Sequence, residues 1–450
     1  MKKLLATLLA STMALSALGS LVACGDGDGG NKTLTGEVKP ADFHYVTNLD
    51  DPLQNKSDAD ETPVEACDIT VWAPAEIKPT YESLVTAFKS SNYHNGKYAN
   101  VNVTIEAKPE SDVKAALGTD ASSGADVFFF VSDHIGDMMR SNWLLPLRGS
   151  TGSYYSAAIM QRDLEGAAQA VAKDGYCYAF PTTADNGYYL VYNKDDFTGA
   201  DADKLNDLDA ILALAEAKGK SFFWNYTDSF YTSTFFFGAG VEMSEKGPES
   251  EYSAFKSAKA EIGAKATVKY INDERILPSI GGNNGVKKAI LDGTLIAGFC
   301  GTWENPDESE LETIGCAKLP MFTAPGSTTK YQMGSLYGGK YCGVNAYSKN
   351  GQVAMALANF LTNTNAQRIR FENHTSGPSN KSVAELPSVA ENIPLKAYND
   401  QVVAGGVYNG DIASTWWSGM KTYGEDIEKG KVTLNDLGLE DLVTALNPQK

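Results

Sequence analysis

Gly124-Ala-Asp-Val-Phe-Phe-Phe-Val131, followed by Ser132-Asp133, is the stretch that decides the fold. An apolar run of this length, opened by glycine and closed by two polar residues, is the pattern of a strand buried on both faces. Upstream, Asp68-Ile-Thr-Val-Trp72 is a short β-branched strand that ends at Pro74, and Val101-Asn-Val-Thr-Ile105 alternates as a second strand. Between them Tyr81, Leu84, Val85 and Phe88 recur at i, i+3, i+4 and i+7 after Pro79, which puts them on one face of a helix. Val113-Lys-Ala-Ala-Leu117 is a second helical stretch. The order β-α-β-α-β predicts a mostly parallel sheet covered by helices. Ligands of such sheets collect beyond the carboxyl ends of the strands, here the loops Ala73–Ile77 and Ser132–Gly136.

The chain opens with Lys2-Lys3, an apolar run from Leu4 to Val22, and Ala23-Cys24. A charged start and dilution by Ala, Ser and Gly are the anatomy of a secretory signal rather than of a stable anchor. A small residue directly before a Cys at the end of the run resembles the lipobox of bacterial lipoproteins. That resemblance implies a signal peptide over 1–23, a lipid on Cys24, and a protein tethered to the extracellular face of the cell membrane. An ordinary signal peptide with an incidental Cys is the alternative. Gly25-Asp-Gly-Asp-Gly-Gly30 cannot pack a core, and low hydrophobicity continues to about Pro63, so 24–66 reads as a flexible tether. The body from Cys67 onward exceeds one ordinary core and predicts two lobes.

The 38 basic and 56 acidic residues give a net charge of −18, more negative still once Lys2 and Lys3 are removed. So acidic a surface argues against nucleic acid and anionic lipid as partners, and names no ligand. No second apolar run is long enough to span a membrane. Cys67, Cys177, Cys300, Cys316 and Cys342 match neither a zinc spacing nor a CxxC pair. Each sits in or beside a strand-like run, so buried thiols are expected, with a Cys300–Cys316 bridge left open. His44, His94, His134 and His374 are scattered, so no metal site and no cofactor is expected.

Further motifs appear in order along the body. Ser141-Asn-Trp-Leu-Leu-Pro-Leu147 follows the Phe run; Ala179-Phe-Pro181 and Leu190-Val-Tyr-Asn-Lys-Asp195 come next; then Ala289–Trp303, with Gly301-Thr-Trp303 at its end; then Lys318-Leu-Pro320, Gly343-Val-Asn-Ala-Tyr-Ser348 and the helical Ala354–Leu361. Together with Ile69–Trp72 and the Phe run, this series resembles the extracellular solute-binding proteins of family 1, close in pattern to maltose- and maltodextrin-binding proteins. The resemblance implies an α/β, periplasmic-binding-protein-like fold: two α/β lobes joined by a multi-crossing hinge, with the ligand cleft between them and closure by hinge motion. It places lobe 1 at 67–183 plus 326–376 and lobe 2 at 184–325 plus 377–450. The crossings are expected near Pro181–Asp185, Leu319–Gly326 and Ser376–Asn380. It implies a monomer, without cofactor or catalytic residues, that hands an oligosaccharide to the permease subunits of an ABC transporter.

Sugar chemistry selects the candidate residues. Aromatic rings stack on the C–H faces of a pyranose, while carboxylates and amides take its hydroxyls. Trp303 stands where the family places a stacking aromatic. In Trp416-Trp417 adjacent helical residues cannot face the same way, and the spacing to Lys421 favours Trp417. Phe230 and Tyr231, behind Asp228, resemble the family's paired aromatics, although core packing would account for them equally well. Asp133 ends the Phe run, and His134 follows it where maltose binders often carry Arg. Asp185-Asn186 lies at the first crossing. Glu76 on the first loop and Ser335 in Gly334-Ser-Leu-Tyr-Gly-Gly339 complete the set. Two other classes stay open. A carbohydrate-active enzyme would need two carboxylates across one glycosidic bond, and no local motif pairs them. A polyamine binder would use the same mixture of acids and aromatics. A surface adhesin would show repeats, and the chain has none.

Overall fold

The computed structural model describes residues 62–90, 93–242, 252–280, 285–410 and 412–447. The expected signal peptide, Cys24 and the tether up to residue 61 lie outside the described residues. The chain forms two compact units. Unit 1 holds the described residues up to Asn186 together with Gly338–Glu391; unit 2 holds Gly187–Tyr337 and the chain from Asn392 onward.

Unit 1 opens as the hydrophobic pattern predicts: β1 (Cys67–Ala73), α1 (Lys78–Phe88), β2 (Val101–Ala107), α2 (Val113–Asp120) and β3 (Val127–Val131). β1 pairs in parallel with both other strands, giving the order β2-β1-β3. Pro79 in the first turn of α1 has its φ already set for a helix. Tyr81, Leu84 and Phe88 are buried, and Val85 is half-buried beside them. Phe128, Phe129 and Phe130 are fully buried, so β3 is covered on both faces. Phe129 stacks on Tyr81 of α1 at 4.4 Å, and Phe130 meets Tyr341 edge-on at 5.8 Å. Each such burial stabilises the fold by about 1.5–3 kcal/mol. Past β3 the chain makes one tight turn, Ser132–His134, then enters α3 (Ile135–Arg140) and α4 (Gly149–Arg162).

β4 (Ala179–Asn193) carries the chain into unit 2. There follow α5 (Leu208–Lys218), β5 (Ser221–Phe223), α6 (Ser229–Thr232), α7 (Ala258–Ile271), β6 (Ile276–Leu277), β7 (Leu295–Gly301) and β8 (Ile314–Ala317). The second half of β4 runs antiparallel to β7 on one side and to β8 on the other, and β7, β5 and β6 are mutually parallel. β9 (Ser335–Val344) then returns to unit 1, where Lys340–Val344 pairs antiparallel with β3. Gly343 is required there: a Cβ would come within 2.7 Å of the Phe128 ring. α8 (Gly351–Thr362) and α9 (Thr364–His374) complete unit 1. α10 (Ile393–Gly405), β10 (Gly406–Tyr408), α11 (Thr415–Glu428) and α12 (Leu439–Leu446) complete unit 2.

The chain therefore passes between units after Asn186, Tyr337 and Glu391. Residues 326–337 and 377–391 fall in the opposite units from the sequence-based division, and 184–186 stay with unit 1. The causes are local. Ser335–Tyr337 pairs with β10 inside unit 2. The Gly377-Pro378 segment is laced into unit 1: Ala184 N–H donates to Gly377 O (3.0 Å), Leu164 N–H to Ser379 O (2.7 Å), and Ser379 Oγ to Asp163 Oδ1 (2.8 Å). The five cysteines of the described residues are all free. Cys300 on β7 and Cys316 on β8 pair with Tyr189 and Val191 on opposite edges of β4. Two strand spacings are about 10 Å, beyond the reach of a disulfide. Cys177, Cys300 and Cys342 are buried, while Cys67 and Cys316 are only partly covered. Among the described residues no helix is long and apolar enough to cross a membrane.

Candidate functional site

Unit 2 gathers four of the predicted aromatics. Asp228 caps α6: its Oδ1 accepts the Phe230 N–H at 2.9 Å, and its carbonyl accepts from Tyr231 N–H at 2.9 Å. That cap fixes where Phe230 and Tyr231 leave the backbone. The Phe230 ring lies 5.8 Å from Trp303, tilted by 61°, and 6.4 Å from Trp417, within 21° of parallel. Tyr188 on β4 supports both Phe230 (5.4 Å) and Tyr231 (4.8 Å) from below. Trp303 is 46% exposed, unusual for an indole that also touches a core element. It can lie back over the end of β7 because residue 301 is glycine, where a Cβ would meet the indole at 2.3 Å.

The adjacent tryptophans divide. Trp416 is fully buried and stacks on Phe237 at 5.8 Å with 3° between planes. It belongs to the stripe Trp416, Met420, Tyr423 and Ile427 that seats α11 on the core. Trp417, a helical step round, is half-buried beside Phe230. Burial raises the Asp228 carboxyl above its usual range, against the Phe230 N–H and the Lys421 charge. The Tyr231 phenol is held well above its ordinary value by burial, then by Asp228 and Glu304. Unit 2 therefore presents a rank of rings with carboxylates beside it.

Ser335 is placed differently from expectation. It is fully buried and its Oγ accepts from Gln401 Nε2 at 3.2 Å, while Gln401 Oε1 receives the Leu319 N–H at 2.8 Å. Its hydroxyl ties β9 to α10 and is spent within unit 2.

Unit 1 carries the other candidates. Ser132 Oγ accepts the Gly339 N–H at 3.1 Å, and Thr182 Oγ1 donates to Lys340 O at 2.8 Å. These two bonds attach the turn after β3 and the first part of β4, the segments that carry Asp133 and Asp185, to the same dipeptide of β9. Asp185 is buried and its Oδ2 accepts the Gly377 N–H at 2.5 Å. Burial raises its carboxyl, opposed first by Lys340. Asn186 is buried next to it. Asp133 Oδ2 lies 3.7 Å from His134 Nε2, both side chains nearly covered. Glu76 is exposed on the first loop, and its charge acts on His374, whose Nε2 lies 2.9 Å from Thr80 Oγ1.

Sequence reasoning missed the charges behind Asp185. Lys340 Nζ pairs with Glu110 Oε2 at 2.8 Å, and the buried Arg370 donates to Tyr81 Oη at 3.0 Å. Arg370 sits on a helix of polar character, where nothing in the sequence marks one arginine as interior. Tyr188 and Glu304 were also missed. Glu304 was within reach of inspection, being the neighbour of Trp303. Among the described residues no group of three His, Cys, Asp or Glu is placed to hold a metal ion.

Two α/β units threaded by three crossings, one of them carrying a rank of rings with carboxylates beside it, have the architecture of a solute-binding protein. The chain belongs to the family described as bacterial extracellular solute-binding protein, which matches over residues 83–397. The galactooligosaccharide-binding protein of Bacillus subtilis (strain 168) is 24% identical over 348 residues, covering 74% of this chain and 78% of its own. A protein solved with acarbose superposes with a TM-score of 0.72 at 25% identity, covering 85% of this chain and 99% of its own. The maltodextrin-binding protein of L. casei BL23, solved without ligand, gives a TM-score of 0.69 at 19% identity, covering 86% and 100%. The fold is thus that of the maltose-binding-protein-like proteins.

Proposed function

We propose that this protein is the substrate-binding subunit of an ABC importer: it captures an oligosaccharide outside the cell and hands it to membrane permease subunits. The observation that carries this reading is the ring rank Trp303–Phe230–Trp417 beside Asp228. Flat apolar rings with carboxylates at their edge match the faces and hydroxyls of a sugar. In this reading the sugar-contacting residues are Asp228, Phe230, Tyr231, Trp303 and Trp417 in unit 2, and Asp133, His134, Asp185, Asn186 and the more peripheral Glu76 in unit 1. Maltodextrin is the first ligand to test, in line with the acarbose and maltodextrin neighbours. The Bacillus subtilis relative favours a galactooligosaccharide as the second reading. We further infer a monomer tethered at Cys24 by a lipid; Cys24→Ser should move the protein from the membrane fraction to the soluble one.

Calorimetric titration with maltotriose, a galactooligosaccharide and spermidine tests the function. Saturable binding of an oligosaccharide recovered intact supports it. Cleavage of the sugar, or a response to spermidine alone, overturns it.

A further inference from the structure

We propose that Asp133 and His134 form a proton-responsive grip on a ligand hydroxyl, which holds with the pair unprotonated and loosens when the pair takes up one proton. This rests on the oligosaccharide reading above and adds regulation to that site.

The pair sits on the turn that follows β3, at the carboxyl end of a deeply buried strand of unit 1. His134 is only 7% exposed, yet its Nδ1 has no hydrogen-bond partner among the described residues. Its Nε2 is 3.7 Å from Asp133 Oδ2, too far for a hydrogen bond. A buried ring nitrogen without a partner is costly unless a group from outside the chain meets it. A sugar hydroxyl, which both donates and accepts, can meet an imidazole nitrogen and a carboxylate together.

Lys114 and Asp137 act on the pair from outside with opposite signs, and less than its two members act on each other. Asp137 on α3 is taken by Lys114 of α2 (3.0 Å) and Arg140 (2.5 Å). Asp112, on the turn before α2, acts on His134 more weakly than these. Glu110 on the same turn is paired with Lys340 of β9. Burial lowers the His134 imidazole below its ordinary range, and burial raises the Asp133 carboxyl above its own. The unprotonated pair is a neutral ring beside a carboxylate. As pH falls the pair takes up one proton, which belongs to the two groups together. Whichever group carries that proton, the carboxylate ceases to be a free acceptor: it is drawn to an imidazolium or is itself protonated. Arginine, which often follows the acidic residue in maltose binders, stays charged and could not respond.

The test is the affinity of the full chain for maltotriose and a galactooligosaccharide at pH 7.5, 6 and 5, in wild type and His134→Asn. Wild type should weaken about tenfold from pH 7.5 to 5, the loss of one charge-assisted hydrogen bond, and His134→Asn should flatten the profile. Wild-type affinity independent of pH, or an unchanged slope in His134→Asn, overturns the proposal and leaves the oligosaccharide reading standing. No oligosaccharide binding at any pH by a chain folded by circular dichroism overturns both. Should His134→Asn not fold, the wild-type imidazole resonances decide. Titration of the His134 ring must move when a saturating oligosaccharide is added; a titration indifferent to ligand overturns the proposal.

Discussion

The Trp417 indole lies within 21° of parallel to the Phe230 ring at 6.4 Å, whereas Trp416, one residue earlier, is sealed against Phe237. Neighbours in sequence thus differ in surroundings, one sealed in the core and the other half-exposed. Trp416→Ala should destabilise the protein by about 3–5 kcal/mol, the cost of a large cavity. Trp417→Ala should leave the Tm near that of wild type and weaken oligosaccharide binding about tenfold. Thermal denaturation and calorimetry on both variants check this; equal losses of stability would refute the division.

Gly301 is predicted to act through Trp303. A methyl at 301 would enter the indole, which must swing away because it is the mobile partner. Gly301→Ala should therefore weaken oligosaccharide binding as much as Trp303→Ala does. Its tryptophan emission should shift to the red with little change in Tm. Unchanged affinity in Gly301→Ala would show that the indole's position is immaterial.

Asp185 should cost stability at neutral pH. Its folded carboxyl is raised above the unfolded value near 3.8, so the folded chain binds more protons than the unfolded one between those values. Stability from this group is then greatest at low pH and falls as pH rises through that window. Asp185→Asn, which can still accept the Gly377 N–H, should raise Tm at pH 7.5, lose that advantage near pH 4, and bind oligosaccharide more weakly. A lower Tm for Asp185→Asn at pH 7.5 would contradict the assignment.

Burial raises the Asp163 carboxyl as well, but here both oxygens have side-chain partners. Its Oδ2 takes Arg162 Nε at 3.0 Å, and its Oδ1 takes Ser379 Oγ and Gln367 Nε2 (3.3 Å). Asp163→Ala leaves Arg162 buried without that partner and should cost about 3–5 kcal/mol. Urea denaturation reads this directly; a loss below about 1 kcal/mol would mean that the lacing of 377–380 has another source.

What the sequence revealed follows from periodicity. β1, β2 and β3 were legible because a strand buried on both faces, or alternating, leaves a pattern in its own residues. The second and third crossings were not, because Ser335–Tyr337 and Gly377–Asn380 are assigned to a unit by partners far along the chain: β10, Ala184 and Asp163. The grouping of Trp303 and Trp417 around Phe230 was not legible, because the three rings come from segments far apart in the chain. Ser335 misled because a hydroxyl in a glycine-rich stretch looks the same whether it faces solvent or Gln401. The pair Cys300 and Cys316 looked bridgeable along the chain, and only the interposition of β4 separates them.

The three crossings also order events in time. Unit 1 takes part of β9 and the helices α8 and α9 from residues 338–391, and unit 2 takes its last helices from residues beyond 391. Neither unit can finish from an N-terminal fragment, so a chain emerging end-first stays incomplete until nearly all of it has emerged. A polypeptide that must be threaded through a secretory channel before it folds gains from that delay: its native cores are withheld until the thread is almost through.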